Sequence, residues 1–383
     1  MSGGAVPLAA LLAVLGAPPG PSISAPTSAQ ESAVLLDPLE AAALAGVLAS
    51  LPQRTVPALS EPLVRAARSL AGRAARGDPR PISSSALRAA LGEAGVLDPA
   101  PAAVLLAARP ASLPEALATA ARFRGATHLG IGVVERDGLA WAVLLASERR
   151  AELEPFPRRV RPGEQVVLRG RLVALSSPRV YVATPAGAAR ELPVREEGGR
   201  FEADVRFDQP GTWRVEVVGG DGPRGPTVAA VLEVESGKGR AAAASPDEPD
   251  PADVETRICA ELDRIRAGQG LSPLGRSAPL DEQARRHAAS MLAAGTVAHR
   301  VDGGGDVASR LGSAAVSYRS AGENVARGSG ALDAHRAILV SPAHLANLLA
   351  PRASLLGLGI ARGTLPGGQP VTYLTEILVE PRE

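Results

Sequence analysis

GENVARGSGALDAHRAILVSPAHLANLL, residues 322–349, sets a carboxylate, Glu323, twenty-one residues ahead of a histidine, His344, at the start of an expected helix. Ser341 and Pro342 form a helix-entry pair, because a serine hydroxyl caps the first backbone N–H groups and proline fixes the first helical φ. Such a start holds an imidazole rigidly. Asn347, three residues on, shares the face of His344. The chain has five histidines, and four of them, His287, His299, His335 and His344, fall in its last third. Imidazole is the side chain suited to proton transfer or metal ligation near neutral pH, so this clustering singles out the C-terminal region.

The four are not equivalent. His287 lies in LDEQARRHAASMLAAG (280–295), on one helical face with Leu280, Ala284, Ala288 and Met291, which reads as a core histidine bonded to a neighbour. His335, at a polar helix start, receives no role. His299 follows the expected helix end at Gly295 and precedes DGGGD, so it sits on a loop that can face a cleft.

Outward from this region, the 383 residues are too many for one ordinary core, and two or three domains are expected. With 41 Lys and Arg against 40 Asp and Glu the net charge is +1, which leaves no basic field for nucleic acid. Lys238 is the only lysine. The single cysteine, Cys259, has no partner for an internal disulfide and reads as a small apolar residue of a helix. Aromatics are 2% of the chain, so the cores must be built from Ala, Leu and Val.

Residues 1–29 hold an apolar run from about Ala5 to Ala17, the length of a signal-peptide core and short for a membrane span. They are read as an export leader, although no Lys or Arg precedes Arg54; the alternative is an apolar leader that is retained. No transmembrane segment is expected. Residues 30–150 are Ala/Leu-rich and mainly helical in period, ending in two apolar runs joined by Arg136-Asp137-Gly138, a hairpin signal. Over 155–236 the period becomes two, with about seven short strands separated by turn residues, the pattern of an all-β sandwich. DQPGTWRVEVVG (208–219) resembles the penultimate strands of bacterial immunoglobulin-like or fibronectin-like modules. Residues 237–252 are small, charged and proline-rich, a linker. Residues 253–383 return to helices and end on strands.

The two flanking regions also resemble each other. SEPLVRAARSLA (60–71) matches SAPLDEQARRHA (277–288), and HLGIGVV (128–134) matches LLGLGIA (355–361), in the same order. The first region lacks the histidines of the last, so it reads as a copy that keeps the fold without the polar cleft.

Five segments of the last region, LDRIRAGQGLSPL (262–274), LDEQARRHAASMLAAGTVAHRVDG (280–303), GENVA (322–326), SPAHLANLL (341–349) and LGLGIARG (356–363), resemble in order and spacing the bacterial CAP domain, also called SCP or PR-1-like. The resemblance implies an α-β-α sandwich at the C-terminus; with the period-two middle and the internal repeat, the chain is expected to be α+β and multidomain, with a central immunoglobulin-like sandwich and an N-terminal degenerate CAP-like domain. It also implies a cleft lined by His299, Glu323 and His344. The chain departs from the family where Ile338 replaces an aromatic, where Glu376 stands for the glutamine of a YTQV strand, and where Thr372 and Tyr373 replace a second cleft histidine motif. Two imidazoles and a carboxylate suit Zn²⁺ with an open position; the same trio also suits a hydrogen-bonded network with no metal. No Gly-x-Ser-x-Gly, His-Glu-x-x-His or phosphate-loop motif competes. The expectation is a secreted, periplasmic or envelope protein whose cleft binds a lipid, glycan or peptide. The alternatives are a metal-dependent hydrolase with Glu323 as base beside His299 and His344, and a structural adhesin.

Overall fold

Two glycines decide how the C-terminal layers approach each other. The computed structural model describes residues 34–382 apart from 52–55, 100, 122, 124, 221, 223, 224, 238–249, 302, 315 and 365–369. The leader at 1–29 and most of the linker lie outside the described residues. In the last domain, a four-stranded sheet runs in the order Gly275–Arg276, Leu355–Thr364, Pro370–Pro381, Tyr318–Gly328. The first pair is parallel and the others are antiparallel. Helix Ala278–Ala294 lies directly on strand Leu355–Thr364. A Cβ placed on Gly357 would fall 2.5 Å from the Leu280 backbone, and one on Gly359 would fall 2.0 Å from the Ala284 carbonyl carbon. Only residues without a Cβ allow this approach.

Strand alternation then divides the core between two faces. Ile377 and Val379 pack on helix residues Leu280 and Ala284. Leu356, Leu358, Leu374 and Leu378 pack on the opposite side, against helices Val254–Gly268 and Ala331–Val340 through Ile258, Leu262, Leu332 and Ile338. The result is three layers, helix, sheet, helix. Near the end of the stretch expected as a linker, the Asp250 carboxylate accepts from the Ala331 and Leu332 N–H groups at 2.8 and 3.0 Å, which ties that residue to this domain.

The N-terminal domain has the same strand plan: Ala58–Leu59, His128–Arg136, Leu139–Ser147, Ala102–Ala108, again with only the first pair parallel. Helix Glu61–Ala75 rides on Gly130 and Gly132, where an added Cβ would lie 2.3 Å from the Leu63 carbonyl carbon and 2.2 Å from the Arg68 nitrogen. Helices Pro38–Ser50 and Leu113–Ala120 cover the other face, meeting Leu129, Ile131 and Leu144 through Val47, Leu113 and Leu117. The Asp137-Gly138 turn adopts positive φ at both residues, 54° and 76°, as a two-residue hairpin requires.

Between them stand two sheets. One runs Val194–Glu197, Arg200–Phe207, Glu164–Leu172, Ala151–Leu153; the other runs Arg159–Val160, Pro226–Ser236, Gly211–Gly220, Ser176–Ala183, Ala189–Leu192. They share one core around Leu168, Phe201, Phe207, Trp213, Val215 and Leu232. Phe207 meets the Trp213 ring edge-on at 5.5 Å, and Trp213 Nε1 donates to the Gln209 carbonyl at 2.9 Å. The sheets begin at Ala151, before the expected boundary at 155, and contain more strands than the seven expected. Edge strands of two and three residues are too short to show a period in sequence.

Replacing Gly359 with Ala is expected to cost the C-terminal domain about 3 kcal/mol through overpacking against Ala284. Replacing Gly268, which has nothing within 4 Å of an added Cβ, is expected to change stability by less than about 0.5 kcal/mol. Denaturant unfolding of the two variants separates these outcomes.

Candidate functional site

The cleft is assembled from four pieces of chain. Helix Ala278–Ala294 stops at Gly295 in the left-handed conformation, φ 65°, and the following loop delivers His299. Helix Val307–Ser313 starts at Asp306, whose carboxylate accepts from the Ser309 N–H at 2.8 Å, and presents Arg310. Strand Tyr318–Gly328 carries Glu323 and Asn324. Helix Pro342–Leu348, capped by the Ser341 side chain, carries His344 and Asn347.

Glu323 is buried, so its charge has to be compensated locally. His299 Nδ1 lies 3.0 Å from Oε1, and the Arg310 guanidinium pairs with Oε2. Arg310 is itself fixed by donating to the carbonyls of His299 and Gly305 at 3.1 and 2.9 Å. His287 Nε2 approaches Oε1 at 3.8 Å while bonding the Ala298 carbonyl at 3.0 Å, the core role its helical face implied. Burial alone would push the Glu323 carboxyl up. The His299 hydrogen bond and the nearby Arg310 charge outweigh it and hold the group below the ordinary carboxylate value.

His344 is set differently. Its Nδ1 lies 2.8 Å from Ser341 Oγ, and burial, with His299 nearby, pushes the imidazole down to about 4, so it is neutral at pH 7. Asn324 steadies the same turn, donating to the His344 carbonyl at 3.2 Å and accepting from Asn347 at 3.0 Å. His299, Glu323 and His344 all line one cavity of about 490 Å³. The opposite wall comes from the central sandwich, through Arg179, Tyr181 and Gly225. Gly225, at φ 90°, leaves only 3.0 Å between an added Cβ and the His299 Cβ.

The sandwich also contributes Glu216, from strand Gly211–Gly220. It is buried, and both of its oxygens accept from Ser341 Oγ, at 2.9 and 2.8 Å; Oε2 also accepts from the Ala343 N–H at 2.9 Å. Burial, opposed by those hydrogen bonds, pushes this carboxyl up to about 7. Sequence reasoning identified neither Glu216 nor Arg310. Glu216 alternates with Arg214 and Val218 on an outward strand face, which reads as solvent-exposed, and Arg310 belongs to no motif.

His335 is no surface residue: it is fully buried, with Nδ1 2.6 Å from Glu376 Oε1. The glutamate found in place of the family's glutamine is thereby explained, since it answers a histidine across the core. In the N-terminal sheet, the residue paired as Glu323 is paired with Ile377 is Ala103, opposite Leu145, and the counterpart of Asn324 is Val104. The polar set has no equivalent there.

The Zn²⁺ expectation meets a chemical obstacle. Both Glu323 oxygens are engaged by His299 and Arg310, and a guanidinium on a carboxylate competes with a dication for it. Among the described residues no group of three or more His, Cys, Asp and Glu is arranged to hold a metal ion. The trio as it stands fits a hydrogen-bonded network rather than a metal-ligand set.

Residues 260–374 match the model of the cysteine-rich secretory protein family, CAP, and the chain carries a CAP domain there. Among solved structures, an outer surface protein from Borrelia burgdorferi is 17% identical at a TM-score of 0.30, covering 36% of this chain and 100% of its own. An extracellular SCP-domain protein from Bacillus anthracis is 16% identical at 0.28, covering 61% and 89%. A cysteine-rich secretory protein from Staphylococcus aureus is 12% identical at 0.26, covering 61% and 87%. A search of curated proteins gives no match.

Arg310→Met, which strands the buried Glu323 charge, is expected to cost about 3 kcal/mol, with much of it restored in the Arg310→Met, Glu323→Gln double variant; denaturant melts of the four proteins close this cycle. Glu216 gives a pH signature. Because its carboxyl is pushed up to about 7, the folded protein keeps a proton that the unfolded chain releases near 4.5. The stability of the natural chain relative to Glu216→Gln is therefore expected to be greatest below pH 4.5, to fall as pH rises to 7, and to level off beyond it, as read by thermal unfolding across that range.

Proposed function

We propose that this is an exported envelope or extracellular protein whose CAP domain binds a hydroxyl-rich ligand, an oligosaccharide, in the cavity it shares with the central sandwich. The convergence of His299, Glu323 and His344 on one hollow of about 490 Å³ carries the reading, a size in the range of ligand sites. Export rests on the apolar run from Ala5 to Ala17; among the described residues no helix is long and apolar enough to cross a membrane.

The chemistry of the lining selects the ligand class. The arginines of the cavity are already matched, Arg179 with Glu191 at 2.8 Å and Arg300 with Asp306 at 2.7 Å, so an anion finds no open cation in them. An ionised Glu323 has no proton, so the His299 Nδ1–H donates to it, which leaves its Nε2 for a ligand. His344 is an uncharged imidazole. Its lone pair asks for a donor, and a glycan supplies hydroxyls in series. Hydrolysis is less well served, because a general base works best with a pKa near the working pH and Glu323 is held below its ordinary value by its partners. In this reading the central domain is an immunoglobulin-like sandwich serving as the second wall. Residues 34–150 are a CAP-like copy with a structural role, supported by the shared strand plan and the replacement of Glu323 by Ala103.

Titration of the full chain with bacterial cell-wall oligosaccharides, followed by histidine ring NMR, is expected to move the His299 and His344 signals and leave those of buried His287 and His335 in place. The His299→Ala, His344→Ala double variant is expected to bind about tenfold more weakly or worse, the loss due to two ligand hydrogen bonds. Oligosaccharide affinity equal in the natural and double-variant proteins would refute the proposal.

A further inference from the structure

Glu216, Ser341 and His344 form a chain of three polar groups that crosses from the sandwich into the CAP domain. The Ser341 Oγ lies within 2.9 Å of both Glu216 oxygens and 2.8 Å from His344 Nδ1. A hydroxyl has one proton to give. Above about pH 7 the ionised carboxylate has none, so the Ser341 proton goes to Glu216, which leaves the serine oxygen as an acceptor. It already takes the His344 backbone N–H at 3.4 Å, and the ring nitrogen facing it must then be the one that carries hydrogen. We propose that Glu216 is a positioning residue which, through Ser341, fixes His344 as the Nδ1–H tautomer and so makes its Nε2 a hydrogen-bond acceptor in the cleft.

The direction of the relay sets what the site recognises. With Nδ1–H directed to Ser341, Nε2 of His344, which has no partner among the described residues, offers a lone pair to the cleft. A ligand presenting a donor satisfies it, and one presenting only acceptors leaves it unpaired. Were the relay reversed, Ser341 would donate to Nδ1, Nε2 would carry the hydrogen, and the site would ask for an acceptor instead. The consequence for ligand choice rests on the binding reading above; the tautomer itself does not.

Glu216 does more here than staple two domains. A staple needs only the contacts to Ser341 Oγ and the Ala343 N–H, which a glutamine of the same shape also makes. A glutamine differs in one respect: with its oxygen on the Ala343 N–H, its amide donates to Ser341, which turns the serine proton toward His344.

Ring ¹⁵N–¹H correlation spectra of the full chain, labelled in its histidines and assigned with a His344→Gln variant, read the tautomer without any ligand. At pH 8, His344 is expected as the Nδ1–H form. In Glu216→Gln the tautomer ratio is expected to move about tenfold or more toward Nε2–H, the scale of one hydrogen bond to a charged group. An unshifted His299 signal shows that the sandwich still covers the cleft, and unshifted His287 and His335 signals show an intact fold. Ser341→Ala gives an independent readout, since in that background Glu216→Gln should leave the tautomer ratio unchanged. An Nε2–H ring in the natural protein, or the same ratio with Glu216 and with Gln, overturns the proposal and leaves Glu216 as a staple. Absence of oligosaccharide binding with the expected tautomers would instead overturn the ligand reading alone.

Discussion

The geometry of the CAP domain depends on how closely helix Ala278–Ala294 lies on strand Leu355–Thr364. Interiors are packed near crystal density, so a helix lowered onto a strand by the width of two missing side chains fixes everything attached to it. The loop after Gly295 then delivers His299 at one height above the sheet, within reach of a glutamate on another strand. A single methyl at Gly359 would meet the Ala284 backbone at 2.0 Å, which no rotamer relieves. The N-terminal domain repeats the same contact at Gly130 and Gly132 while carrying Ala103 in place of the acid. The packing constraint is therefore separable from the polar chemistry, since the chain contains the contact once with that chemistry and once without it.

Burial of Glu323 is the second constraint, and it accounts for the company the residue keeps. A carboxylate out of water is costly unless charged and polar partners replace the solvent. Arg310 supplies a cation, His299 a donor, and Arg310 in turn ties down the carbonyls of His299 and Gly305. The cluster fixes the loop as much as it furnishes a surface. That double duty explains why the acid is held in its charged form and is poorly suited to exchanging protons.

Much of this was legible from residue order. Gly-x-Gly in an apolar run, Ser-Pro ahead of a histidine, and period-two alternation each have a local physical cause, so the strands and the capped helix could be placed from sequence, while the three cleft residues came together only through the resemblance to the CAP domain. The partners that were missed act over long separations and leave no local trace. Arg310 sits on a short helix without a motif. Glu216 occupies a position where alternation predicts solvent, and only the docking of helix Pro342–Leu348 on that sheet face buries it. His335 looked polar and marginal because its match, Glu376, lies on the last strand. A pairing between residues far apart in sequence becomes visible only once the layers are stacked.

Asp250 holds one further implication. It anchors the chain to the start of helix Ala331–Val340, while Ser236 is buried at the end of the last sandwich strand, so both ends of the intervening stretch are fixed by contacts of their own. Substitutions confined to residues 238–249 leave both anchors untouched, whereas the face around Glu216 cannot drift without unseating its neighbour.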